Sequence, residues 1–373
     1  MRVIALGGWY GSGNVGDDAI LIGLRDLFAE VAPNVEIVAL STDPAQTRDA
    51  CGVESILLQN PLGYLSYGYG ATFRGADAVV VTGGTPFYDW GHVSRLIHMG
   101  LARGGVPLAC FGVGAKRIDS PHGRLLTRLI LSSAFRVSAR DAFSRTRLGE
   151  ISGRQVALTG DSALWVEPAP KGEIDALCKA LGFESGEEYV VICPRALSPL
   201  NRAHYHDPVS AALIASIREN TAALADELTT AGYKTVFLPM HCAKADDDAS
   251  EIRTIEVQMK TTATTISKPL HPRITAAFLG SASLVVGLRL HSLILAAAQG
   301  VPIVGVGYDE KIRGFMEYAG VPDCVVEPTD LRGKAFDVLG EVGLGGVLSD
   351  SCALMRARVR EEAEALVESL GLG

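Results

Sequence analysis

Short runs of β-branched and aliphatic residues, each bounded by Gly, Asp or Thr, alternate along most of this chain with longer segments of helical period. A parallel strand is covered on both faces, so it reads as a nearly unbroken apolar run, and the helix that covers it follows in sequence. The alternation therefore predicts parallel sheets wrapped by helices. In the first half, strands are expected at Val3–Leu6, Val35–Leu40, Ala78–Val81, Leu108–Phe111, Arg136–Ser138 and Val156–Leu158. Helices are expected at Ala19–Ala32, Val93–Ala102, Leu125–Ser133 and Ala142–Leu148. The Pro- and charge-rich stretch Glu167-Pro168-Ala169-Pro170-Lys171-Gly172 breaks this rhythm. It restarts with strands at Tyr189–Cys193, Thr235–Leu238, Leu284–Gly287 and Ile303–Val306, and with helices at Val209–Ala231, Ser292–Ala298 and Ser351–Leu370. The expected fold is α/β: two Rossmann-like domains, residues 1–166 and 173–373, joined by a linker at 167–172. Their strands would end around a central cleft, where doubly wound sheets bind ligands.

Composition narrows the class further. Glycine supplies 41 of 373 residues, about 11% against a usual ~7%, as many tight βα turns require. With 34 Lys and Arg against 42 Asp and Glu the formal net charge is -8, and no run of basic residues offsets it, which argues against a nucleic-acid partner. The 7 cysteines are scattered, odd in number and never spaced as CxxC, so neither a disulfide framework nor a zinc knuckle is expected, and a reducing compartment fits. The opening apolar run Val3–Leu6 is too short for a signal peptide. The most apolar region, Ser281–Tyr308, is interrupted by Arg289, His291, Gln299 and Pro302 and is a poor membrane span. A soluble cytoplasmic protein is expected.

Two glycine-rich segments follow strands in the first domain. Gly7-Gly8-Trp9-Tyr10-Gly11-Ser12-Gly13-Asn14-Val15-Gly16-Asp17-Asp18 contains a GxGxxG at Gly11, Gly13 and Gly16, and Asp43 stands at a tolerable spacing for a ribose-binding acid. A dinucleotide is opposed by Asp17 and Asp18, which would repel a pyrophosphate at the helix N-terminus. Those acids either cap a tight turn or accept a proton from a substrate hydroxyl. In Thr82-Gly83-Gly84-Thr85-Pro86-Phe87-Tyr88-Asp89-Trp90, paired glycines let backbone N–H groups approach a ligand, and the aromatics either wall a sugar site or are buried. Gly112-Val113-Gly114-Ala115-Lys116-Arg117 ends in two cations, Arg140-Asp141 reads as an ion pair, and Asp161 closes the last strand, facing the cleft.

The second domain ends several strands in basic residues. Val285-Val286-Gly287-Leu288-Arg289-Leu290-His291 places Arg289 and His291 at the end of an apolar strand, where a charge is costly unless paired or functional. Arg195 ends the strand before it on a turn stiffened by Pro194, His241 follows Met240, and Lys311 and Arg313 follow Tyr308. Four basic strand ends on one edge describe an anion site.

Together these segments resemble the polysaccharide pyruvyl transferase family. The resemblance rests on Gly11-Ser12-Gly13-Asn14-Val15-Gly16-Asp17-Asp18-Ala19-Ile20, on Ser138-Ala139-Arg140-Asp141, on Thr159-Gly160-Asp161, and on Gly287-Leu288-Arg289-Leu290-His291 followed by Gly300-Val301-Pro302 and Gly307-Tyr308-Asp309-Glu310-Lys311. It implies an architecture similar to glycosyltransferase type B, and transfer of the enolpyruvyl unit of phosphoenolpyruvate onto a saccharide, usually as a cyclic ketal. By this resemblance Arg289, Leu290 and Arg195 would hold the donor, and His291 would serve also as the acid. Gly13, Asn14, Gly84, Asp161 and Lys311 would complete the binding surface. The chain departs from the family pattern at Gly83-Gly84-Thr85-Pro86-Phe87 and at Gly114-Ala115-Lys116, loops expected to face the acceptor.

Elementary chemistry agrees. Phosphoenolpyruvate carries a phosphate and a carboxylate and wants two cationic clamps; ketal formation wants an acid for the enol carbon and a base, Asp18 or Asp17, for the attacking hydroxyl. No metal or cofactor is needed beyond the donor substrate, and no ligand cluster for a metal is visible. The family's frequent lipid-linked acceptors extend the expected location to the inner face of the membrane. Rival functions are a nucleotide-sugar glycosyltransferase, for which Glu310 and Glu317 are a near miss to the expected pair of acids, an NAD-dependent oxidoreductase, and a non-catalytic anion-binding protein.

Overall fold

A computed structural model describes residues 2–58, 73, 75–89, 100, 103–184, 187–199, 209–243 and 246–371. The first unit is built on β1 (Arg2–Leu6), β2 (Glu36–Ser41), β3 (Glu54–Leu57), β4 (Ala78–Thr82), β5 (Leu108–Val113), β6 (Arg136–Ala139) and β7 (Ala157–Leu158). All pair in parallel, in the order β3-β2-β1-β4-β5-β6-β7. The second unit contains β8 (Tyr189–Cys193), β9 (Lys234–Phe237), a small hairpin of β10 (Cys242–Ala243) and β11 (Asp246–Asp247), then β12 (Thr264–Thr265), β13 (Leu284–Gly287), β14 (Ile303–Val306) and β15 (Val325–Val326). Its main sheet is parallel in the order β12-β9-β8-β13-β14-β15.

Strand order dictates where a site can form. In the first sheet the winding direction reverses between β1 and β4, and in the second between β8 and β13. Adjacent loops part at such switch points and leave a crevice at the carboxyl ends of the strands. The loops at these two points carry Gly7–Asp18, Thr82–Asp89, Arg195 and Arg289–His291. Strands β4, β8 and β13 are wholly buried, so each of these loops springs from a rigid, covered element.

The first helix begins at Val15, earlier than its apolar period predicts, because Asn14 takes an extended conformation and its Oδ1 accepts the Gly16 N–H at 3.0 Å. It buries Ile20, Leu21, Leu24, Leu27 and Phe28, the last edge-on to Phe111 with ring centroids 6.4 Å apart. Edge strand β3 was not expected: its burial is partial and its apolar run short. The predicted helix Val93–Ala102 lies outside the described residues except for Gly100, as does Trp90.

The final helix, Leu344–Ser369, runs from the second unit back to the first. There Glu362, nearly buried, accepts from Arg136 Nε at 2.8 Å and Nη2 at 2.9 Å, and Arg356 Nε donates to the Leu164 carbonyl at 2.7 Å. The units also meet where the Val15 N–H donates to Met240 O at 3.0 Å and Tyr318 Oη to Thr159 O at 2.6 Å. Among the described residues, no single helix is long and apolar enough to cross a membrane.

Candidate functional site

The loop after β1 is tied down rather than open. Ser41 Oγ and Thr42 Oγ1 donate to Tyr10 O at 3.2 and 2.9 Å, and the Gln46 amide accepts from the Gly13 N–H at 3.2 Å while donating to Gly11 O at 2.7 Å. Asp43 spends its Oδ1 on the Ala45 and Gln46 N–H groups, capping helix Pro44–Cys51. Gly11, Gly13 and Asp43, the residues that suggest a dinucleotide, are thus engaged within the chain itself. Gly13 and Asn14 are likewise engaged within the turn.

Asp17 and Asp18 follow in the first helical turn, both nearly buried. Asp17 faces Gly84, where an added β-carbon would lie 3.1 Å from its Oδ1. Burial raises its carboxyl above the ordinary range, partly offset by His291, His241 and Lys311. Asp18 turns toward the Gly11 N–H and the Cys51 thiol; burial and the charge of Asp17 push it up to about 7, and its Oδ1 has no hydrogen-bond partner. Adjacent acids held in different surroundings are thus poised differently.

The loop after β4 differs from the aromatic wall considered from sequence. Phe87 is 0% and Tyr88 5% exposed, so both belong to the covered interior, and the exposed aromatic at this edge is Trp9, at 40%. Thr85 Oγ1 accepts from Arg140 Nη2 at 3.1 Å. Gly114 makes room for this guanidinium: a β-carbon there would lie 2.8 Å from Arg140 Nη2. Arg140 also reaches Asp141 at 3.4 Å and Asp161 at 3.3 Å. It is the expected ion pair, and it lies against the cleft.

His291, in the first turn of helix Leu290–Ala297, crosses from the second unit to the first. Its Nε2 stands 3.5 Å from Asp161 Oδ2, and its ring rests on the backbone of Gly16, where a β-carbon would lie 2.1 Å from Nδ1. Gly16 has no unusual φ; close approach alone requires glycine here. Burial would raise Asp161, but His291 and Arg140 outweigh it and hold the carboxyl below its ordinary range. Leu290, expected at the donor, is 4% exposed and packs in the hydrophobic core.

Arg289 presents a different picture from the sequence expectation of an open clamp. Its Nε and Nη2 donate to Asp248 at 2.9 and 2.6 Å, and its Nη1 and Nη2 donate to Asp246 at 3.0 and 2.7 Å. Four of a guanidinium's five N–H groups are therefore used internally. Asp248, fully buried, also accepts from the backbone N–H of Ala196, Met240 and His241 at 3.0–3.1 Å, so it welds three loops together. Asp246 is held well below the ordinary carboxylate range: burial opposes this, and Arg289 and His241 overcome it. His241 is 6% exposed, with Nδ1 3.2 Å from Asp246 Oδ2 and Nε2 without a hydrogen-bond partner. Asp246 and Asp248 escaped the sequence reading because a three-aspartate run looks like a solvated loop.

The remaining cations come from both units, Arg195 and Lys311 from the second and Lys116 and Arg140 from the first, and Arg195 is close enough to Arg289 to feel its charge. Arg195, 3% exposed, donates from Nη1 to Tyr308 Oη at 2.9 Å, and Tyr308 Oη donates to Leu288 O at 2.8 Å. Asp309 Oδ2 lies 3.5 Å from Lys116 Nζ and 3.6 Å from Lys311 Nζ. Burial and the neighbouring charges of Arg195, Lys116 and Arg140 pull Lys311 down to about 7, although Asp309 opposes them. Burial is the larger cause of the shift, and the three neighbouring cations add to it. Glu310 and Glu317 lie exposed on helix Glu310–Tyr318, so the acid pair considered for a nucleotide sugar is at the surface.

Two parallel α/β units meeting at a charged cleft make a fold of glycosyltransferase type B-like build. The profile of the polysaccharide pyruvyl transferase family matches residues 14–310, and the chain belongs to that family. Solved structures share the fold at low identity. MnaA of S. aureus, determined with UDP, is 13% identical, with a TM-score of 0.66 over 100% of this chain and 97% of its own. The UDP-GlcNAc 2-epimerase of Neisseria meningitidis, bound to UDP-GlcNAc, is also 13% identical, with a TM-score of 0.62 over 100% of both chains. A glycosyltransferase of Rickettsia africae is 10% identical, with a TM-score of 0.60 over 98% of both.

Proposed function

We propose that this transferase moves the enolpyruvyl unit of phosphoenolpyruvate onto hydroxyls of a saccharide acceptor, closing a ketal and releasing phosphate. The observation that carries this reading is the cation cluster of Lys311, Lys116, Arg140 and Arg195 beside the His291–Asp161 pair, with Lys311 and His291 close enough to act on Asp17. The donor's phosphate and carboxylate sit among those cations, where their charge favours the protonated Lys311 that burial and like charges disfavour. Arg289 supports this wall from behind through Asp246 and Asp248.

His291 gives a proton to the enol carbon, and an acceptor oxygen bonds to the adjacent carbon, releasing its own proton to Asp18 or Asp17. Phosphate leaves with the electron pair of its bond to that carbon. A second hydroxyl then adds there, loses its proton, and closes the ring. His241, held by Asp246 with Nε2 unpartnered, is a second imidazole available at this edge. No cofactor enters the scheme.

The experiment is a calorimetric titration with phosphoenolpyruvate, a UDP-sugar and NAD, on the native chain and on Lys311→Met. Phosphoenolpyruvate should bind, and bind far more weakly to the variant. Binding of the UDP-sugar or NAD in its place would sink the reading.

A further inference from the structure

The formal charge of -8 is unevenly spread: residues 121–154 contain seven arginines against two acids, Asp141 and Glu150. Two neighbouring helices, Pro121–Ser133 and Ala142–Ser152, carry most of this charge, joined where Arg128 Nε donates to Ile151 O at 2.9 Å. Arg140 turns into the cleft and Arg136 is bound by Glu362, but Arg124, Arg128 and Arg145 lie on the exposed surface.

The first of these helices contains no acid, and its outer face is not polar throughout. Arg124 and Arg128 alternate there with Leu125 and Leu129, which are 56% and 53% exposed, and Phe135 beyond its end is 38% exposed. Elsewhere on the helix the buried side takes Thr127, Ile130 and Leu131, so the two leucines are surplus to the core. Leucines one turn apart, flanked by arginines, match a surface that is both greasy and negative. Exposed leucines interleaved with arginines and no acid on one helix face fit the boundary of an anionic bilayer, where apolar chain and phosphate lie within one side chain's depth of each other.

We propose that this helix face docks the protein on an anionic lipid surface, with the leucines entering the headgroup boundary and the arginines contacting lipid phosphates. The helix starts at the carboxyl edge of the first sheet, after Lys116 and the loop that follows β5, and its outer face runs from there to Phe135. The inference stands apart from the donor assignment and does not depend on it.

Flotation of the full chain with vesicles tests it, using phosphatidylcholine alone and phosphatidylcholine mixed with phosphatidylglycerol. The chain should rise with the mixed vesicles and not with the neutral ones. Leu125→Ser/Leu129→Ser and Arg124→Glu/Arg128→Glu should each cut the bound fraction at least about tenfold, with unchanged melting and unchanged phosphoenolpyruvate titration. Absence of flotation with mixed vesicles overturns the proposal. So does self-association of the native chain that the leucine substitutions abolish, since a second copy would then cover the face.

Discussion

Two corners of the cleft wall carry cations, and they are built on opposite terms. At Arg289, two carboxylates and a guanidinium satisfy one another, and the group holds three loops in place. At Lys311, cations from four elements stand close together, and burial with their added charge pulls this one lysine down to about 7. A buried charge that is already paired is structural material; a buried charge crowded by its own sign is prepared for a ligand. Residue type alone would rank Arg289 first for the anion; its pairing with Asp246 and Asp248 is why the proposed donor site is placed at Lys311 instead.

Arg289→Ala should separate the corners most sharply. It strands the buried carboxylate of Asp248 and the part-exposed one of Asp246, so chemical denaturation should show a loss of about 3–5 kcal/mol, and any lost donor binding would follow from a loosened wall. A shift under about 1 kcal/mol would show that Arg289 is no hub.

Lys311→Met should do the converse. Donor affinity should fall by about 1.5–3 kcal/mol while the melting temperature holds or rises, because a desolvated charge is removed along with its repulsion. If melting drops as well, the lysine is also a strut.

Gly16→Ala touches neither corner and displaces only His291. The clash should cost about 1–3 kcal/mol of stability and lower turnover, with donor binding retained in the titration. Equal loss of donor binding would place His291 in binding before chemistry.

The smallest effect is expected from pH. Lys311 loses its charge as the pH rises through about 7, weakening donor binding, whereas Asp18 accepts a proton only when ionised and so fades as the pH falls through about 7. Rates should peak near neutrality, falling by at most about tenfold per pH unit on either side. Lys311→Met should flatten the alkaline limb and Asp18→Asn the acid limb; a profile unchanged in both variants would dismiss these two groups.

Much of the scaffold was legible in the sequence because burial on both faces writes itself as an unbroken apolar run: β8, β13 and β14 lie where their residues predict. Helix starts were less legible, since Val15-Gly16-Asp17-Asp18 is helical through Asn14's cap and not through apolar period. Within the site, Asp17, Asp161, His291 and Lys311 could be named from strand ends. Their mutual distances could not, because they come from four separate elements. Partnership was invisible for the same reason: nothing in the spacing says that Asp246 and Asp248 will claim Arg289, or that Phe87 and Tyr88 will turn inward while Trp9 stays exposed.

The seat of His291 on Gly16 has a consequence for how the chain comes into being. Asp17 and Asp161 come from the first unit and His291 from the second, so on the proposed mechanism a chain lacking either folded unit would hold parts of the chemistry without their arrangement, and turnover would begin only once the two units have docked.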